Sequence, residues 1–110
     1  IYMGSNDCAS GSVTKEMFDK GYSQMLENLK TLCPDSEIIL MTLCTSPFYD
    51  KSEQLAYNEI LKTKAKDFNL SCLDISQASL SGHLVDSAHP AFSGMKVVAE
   101  KVIEELNKIA

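Results

Sequence analysis

Residues 38–43, Ile-Ile-Leu-Met-Thr-Leu, are an apolar run set between two amphipathic segments, and this arrangement constrains the fold more than any other feature of the chain. A strand covered on both faces reads as such a run rather than as an alternation. Before it, Phe18, Tyr22, Met25, Leu29 and Leu32 recur at three- and four-residue spacing. That spacing predicts a helix, which Thr14 can cap and Pro34 and Asp35 stop. After it comes a loop over 44–49, broken by Pro47, and a second helix predicted over about 52–67 with Leu55, Ile60, Leu61 and Phe68 facing inward. Ile1-Tyr2-Met3 reads as the end of a buried strand and residues 70–75 as another. A long polar loop over 76–88 leads to a last helix from near Ser93, expected to bury Val97, Val98, Val102, Ile103, Leu106 and Ile109.

Strands alternating with helices imply a parallel sheet with helices on both faces, an α/β architecture of the three-layer, flavodoxin-like kind. In such sheets, ligands bind outside the carboxyl ends of the strands. The turn at Gly4, the loop at Pro47 and the loop carrying Asp86 and His89 each follow a strand. All of them are therefore expected on one edge of the sheet, where residues distant in sequence can meet.

Charge narrows the partners. A net charge of -5 does not suit a nucleic-acid partner or an anionic lipid surface, because both need clustered Lys and Arg. No apolar run approaches the ~20 residues that span a bilayer. Lys62, Lys64 and Lys66 are interleaved with apolar positions and read as a solvated helix face. Cys8, Cys33, Cys44 and Cys72 form no Cys-x-x-Cys pair, which argues against zinc and thioredoxin-type chemistry. They read as small hydrophobes in a reducing compartment, so the cytoplasm is favoured, with secretion left open. The five methionines read as core fillers. At 110 residues the chain is one domain at most, and its start at Ile1 reads as that of a cleaved or truncated piece.

Two clusters could carry chemistry. In Asp86-Ser87-Ala88-His89-Pro90, a neutral imidazole at His89 can take and return a proton near neutral pH. To do so it needs an acceptor on its other nitrogen, and Asp86, three residues upstream in a tight turn, can supply it. Pro90 restricts His89. In Gly4-Ser5-Asn6-Asp7, a glycine after a strand permits a sharp turn, and the Asn6 amide can donate to a developing oxyanion. Asp7 is expected to orient this loop. Taken singly, each cluster is also ordinary turn chemistry. His83 reads as a lone, solvent-exposed histidine. Phe48 and Tyr49 read as lining either a substrate pocket or an exposed turn.

Taken together and in this order, the clusters resemble the SGNH, or GDSL-type, hydrolases. That family carries a Gly-x-Asn-Asp block after a central strand, matched by Gly4, Asn6 and Asp7. It closes on Asp-x-x-His-Pro before the last helix, matched by Asp86, His89 and Pro90, with Ala91-Phe92-Ser93-Gly94 following. The resemblance spans residues 1–110 as the C-terminal part of one domain. It implies an ester hydrolase without metal or organic cofactor, with a small-molecule ester as substrate. His89 and Asp86 would be catalytic, and Asn6 and Gly4 would form part of the oxyanion site. The family's Gly-Asp-Ser block is absent here, so the resemblance places the nucleophile upstream. It also implies a sheet edge covered by the N-terminal half of the domain or by another copy. A Cys8–His89 pair is the local alternative for the nucleophile.

A rival of another class is a non-catalytic flavodoxin-like binding module. Its phosphate loop should be rich in Gly, Ser and Thr and open directly into a helix. Here Asn6-Asp7-Cys8 occupies that position, and several residues are expected before the first helix. A metal site on Asp7, Asp86 and His89 has no support in spacing.

Overall fold

The computed structural model describes residues 1–109. In chain order the elements are α1 Ser5–Ser10, α2 Lys15–Leu32, β1 Ile39–Met41, α3 Lys51–Asp67, β2 Ser71–Leu73 and α4 Phe92–Ile109. β1 and β2 pair in parallel, with Leu40 opposite Cys72. α3 is the crossover between them. Ile1 adds to the free side of β1: its amine donates to the Ile39 carbonyl at 2.6 Å, and Met41 N–H donates to the Ile1 carbonyl at 2.9 Å. That reciprocal pattern is parallel-strand pairing, so Ile1 sits where the apolar run at the N-terminus predicted a strand end.

β1 is shorter than its apolar run because a helix captures the backbone that follows it. The Asn58 side-chain amide takes up both polar groups of Leu43, accepting from its N–H at 2.7 Å and donating to its carbonyl at 3.3 Å. One turn earlier on α3, Gln54 does the same for Ser46, accepting its N–H at 2.8 Å and donating to its carbonyl at 3.0 Å. Buried backbone groups must be paired, and here two helix amides replace a neighbouring strand. Of the residues expected to face inward on α3, Leu61 is fully buried and Ile60 and Phe68 pack against the core, but Leu55 is 58% exposed, and Gln54, Tyr57 and Asn58 are buried instead.

Alternate strand residues enter different cores, as a two-residue period requires. Leu40 packs with Phe18, Tyr22, Leu26, Tyr57 and Leu61, and Cys72 lies against the same cluster. Leu73 and Ile75 pack on the opposite side, where Ile39, Met41, Val98 and Val102 meet them. Thr14 caps α2 as predicted, its hydroxyl accepting the Met17 N–H at 3.1 Å.

Three further expectations are corrected. Lys64 is buried, not solvated; it pairs with Asp19 and donates to Ser23 Oγ at 2.8 Å. Ile103, Leu106 and Ile109 on α4 are exposed, because the second core reaches only Val97, Val98 and Val102. Met3, Met17 and Met95 also face solvent, so the methionines are not uniformly core fillers. No helix among the described residues is long and apolar enough to cross a membrane.

Candidate active site

The loop between β2 and α4 is held closed by its own backbone. Leu84 and Pro90 form an antiparallel bridge, and Val85 N–H donates to the His89 carbonyl at 2.9 Å. Inside that closure Asp86 makes an Asx-type turn: one carboxylate oxygen accepts the N–H groups of Ala88 and His89, both at 2.7 Å. Its other oxygen lies 2.8 Å from His89 Nδ1. The backbone donors of Ala88 and His89, with the His89 ring third, hold the Asp86 carboxyl down to about 2. With Nδ1–H directed at Asp86, Nε2 is the imidazole's free acceptor, which is the tautomer a general base needs. The loop is anchored to α4 by a bond that the sequence reading missed. His83, taken there as exposed, is half-buried, with Nδ1 2.9 Å from Ser93 Oγ. Ten residues separate that pair, and no local pattern announces it.

Gly4 caps α1 at φ +129°, a conformation that L side chains rarely adopt, and a Cβ there would stand 3.0 Å from the Phe18 ring. The sequence expected a loop of several residues before the first helix; instead α1 opens directly after Gly4, with Cys8 N–H bonded to the Gly4 carbonyl at 2.9 Å. Asn6 is thus an exposed residue in the first turn of a helix. The Tyr57 hydroxyl, 3.3 Å from the carbonyls of both Asp7 and Val13, ties α1 down. Cys8 is buried in the first core, and burial pushes its thiol up, so it is not presented to His89 as a thiolate.

A cleft of about 310 Å³ collects residues from all of the loops that follow a strand. Ser5 comes from the Gly4 turn, Ser46 and Tyr49 from the Pro47 loop, and Ala88 and Pro90 from either side of His89. Val98 and Ala99 of α4 complete it. Gly4 and Asn6 border an adjoining depression that shares Ser5 and Tyr2 with the cleft. Asp86 and His89 are therefore joined directly. Asn6 and His89 are linked by no hydrogen bond; their immediate neighbours share one cleft. Phe48 is 63% exposed and lines a separate depression beside Asp86. Among the described residues no set of three or more His, Cys, Asp or Glu is placed to hold a metal ion, so Asp7, Asp86 and His89 do not assemble as one.

No protein-family model matches the sequence, and no curated protein matches it. Among solved structures, the chain is similar to the esterase domain of the ORF1 protein from the zebrafish ZfL2-1 retrotransposon. The identity is 22%, the TM-score is 0.71, and the match covers 96% of this chain and 69% of that one. At that identity the likeness is one of fold. The chain has an esterase-like α/β fold with a small parallel sheet.

Proposed function

We propose that this chain carries the acid–base half of an ester hydrolase of the SGNH type, within a complete domain whose sheet is three-layered and flavodoxin-like. The observation that carries the reading is the Asp86–His89 pair, 2.8 Å apart in a loop closed on itself, in a fold like that of an esterase domain. His89 accepts the proton of an attacking serine hydroxyl through Nε2 and returns it to the leaving alcohol. Asp86 fixes the ring and stabilises the imidazolium. Asn6, on the first turn of α1 and near Gly4, donates to the oxyanion. Such a donor is worth roughly 3 kcal/mol in the transition state. No Gly-Asp-Ser turn occurs in these residues, and the serine is assigned to a segment outside them. The substrate is a small carboxylic ester.

The flavodoxin-like binding reading fares worse, although α1 does open directly from Gly4. Asp7 sits in the first turn of that helix, where a bound phosphate would meet a carboxylate. The test is hydrolysis of p-nitrophenyl acetate. The 110-residue chain should be inert, and the protein that includes its upstream segment should be active. His89→Ala in the longer protein should abolish turnover. Robust hydrolysis by the shorter chain would refute the assignment of the nucleophile elsewhere.

A further inference from the structure

The Asp86–His89 bond lies wholly inside one loop, so it orients the imidazole within that loop and nothing beyond it. Three successive pairs, Val85 with His89, Leu84 with Pro90 and His83 with Ala91, make the loop a short antiparallel ribbon that turns over at Asp86. Residues 85–89 at its tip are all exposed, so the tip is directed from its foot. For the chemistry assigned to His89, Nε2 has to meet groups carried elsewhere: Asn6 on α1 and a serine outside these residues. The angle of the ribbon on the body of the protein therefore decides whether the imidazole is useful.

That angle is set at the foot, where His83 is engaged through both its backbone and its ring. Its N–H donates to the Leu80 carbonyl at 2.9 Å, and its carbonyl accepts the Ala91 N–H at 2.7 Å. Its Nδ1 lies 2.9 Å from the Oγ of Ser93, in the first turn of α4. Among the described residues this is the one side-chain hydrogen bond from the ribbon to α4. Leu84 also rests on the second core, but an apolar contact has no direction and permits pivoting. A hydrogen bond fixes both a distance and an angle.

We propose that His83 is a positioning residue: bonded to Ser93, its ring fixes the angle of the ribbon on α4 and so the place of His89 Nε2. This deepens the ester-hydrolase reading and rests on it for the task that His89 performs. No hydrogen bond joins the His83 ring to Asp86 or His89, so its action passes through the ribbon. Displacing a catalytic group by about 1 Å can cost about a hundredfold in rate. Loosening the foot therefore reaches the rate without disturbing the pair that carries the chemistry.

The test has two arms. In the protein that includes the upstream segment, with p-nitrophenyl acetate as substrate, His83→Leu and Ser93→Ala should each lower kcat about ten- to a hundredfold and leave KM within about twofold. The double variant should lose no more than the worse single one, because both remove the same bond. His83→Asn puts an amide where Nδ1 stands, and that amide can donate or accept, so it should stay within about threefold of the unsubstituted protein. In the 110-residue chain, Ser93→Ala should lower the amide heteronuclear NOE of residues 85–89, while Asp86 keeps its midpoint near 2, the sign of an intact turn. Full activity in His83→Leu, a loss in His83→Asn equal to that in His83→Leu, or unchanged NOE values overturns the proposal. An Asp86 midpoint that returns to the ordinary 3.8 in Ser93→Ala overturns it too, because the bond would then hold the pair together and not its place. An unsubstituted longer protein without activity would sink the hydrolase reading, and this assignment with it.

Discussion

At the scale of single residues, Asp86 carries most of the site's organisation. It is fully ionised at neutral pH because two backbone N–H groups and the His89 ring all bond its charged form. Its folded value, about 2, lies below the ordinary 3.8. The order it brings to the loop is therefore complete above about pH 4 and is lost as pH falls toward 2, because protonation then becomes a cost that the unfolded chain does not carry. A carboxyl-detected NMR titration should find the Asp86 midpoint near 2, and an ordinary midpoint would contradict the turn geometry. In Asp86→Asn the stability–pH profile should flatten over that window. The sequence was legible here because Asp-x-x-His is a local pattern whose turn brings its own partners together. His83 was not legible, because its partner Ser93 sits on the next element and only the fold decides that they meet.

At the scale of elements, α4 makes its closest approach to the loop that carries His89 at a residue that has no side chain. A Cβ at Gly94 would lie 2.5 Å from the His83 carbonyl oxygen and 2.9 Å from Pro90 Cβ. Backbone cannot yield as a flexible side chain can, so Gly94→Ala should destabilise the fold by about 1–3 kcal/mol and loosen the loop that carries His89. Gly21, in α2, has open space around it, and Gly21→Ala should stabilise by roughly 0.5–1 kcal/mol. Urea melts of the two variants should move in opposite directions. The contrast between them marks what periodicity can and cannot show. Spacing located α2, α3 and α4 to within a few residues, and it placed the Thr14 cap. On the inner face of α3 it found Leu61 but wrongly included Leu55 and left out Gln54 and Asn58, because apolar content is only one reason to bury a residue. Gln54 and Asn58 face inward to pair the backbone of the loop after β1, and a reading that scores hydrophobicity assigns such residues to solvent.

At the scale of the whole molecule the fold is flat, with extents of 39 × 35 × 20 Å and a radius of gyration of 14.1 Å. A compact chain of this length has a radius of about 13 Å. Its accessible surface, 6851 Å², exceeds the roughly 6,000 Å² expected for its mass. Apolar residues contribute to that surface: Ile103, Leu106 and Ile109 follow one another along α4, and Tyr2 and Met3 are exposed beside the strand-like N-terminus. Ile103→Lys should therefore change stability by no more than about 0.5 kcal/mol, unlike a core isoleucine, while lowering the weight-average mass seen by sedimentation at high concentration. A full loss of folding in that variant would show that α4 is packed more deeply than its exposure indicates. The cleft draws Ser5, Ser46, Pro90 and Val98 to one place from nearly the full span of the chain. Contacts so remote in order close late, after the local helices and the α3 crossover have formed. A guest seated there would act as a clasp between the first turn and the last helix, so occupancy would report completed folding, and a single nick in either long loop would release it.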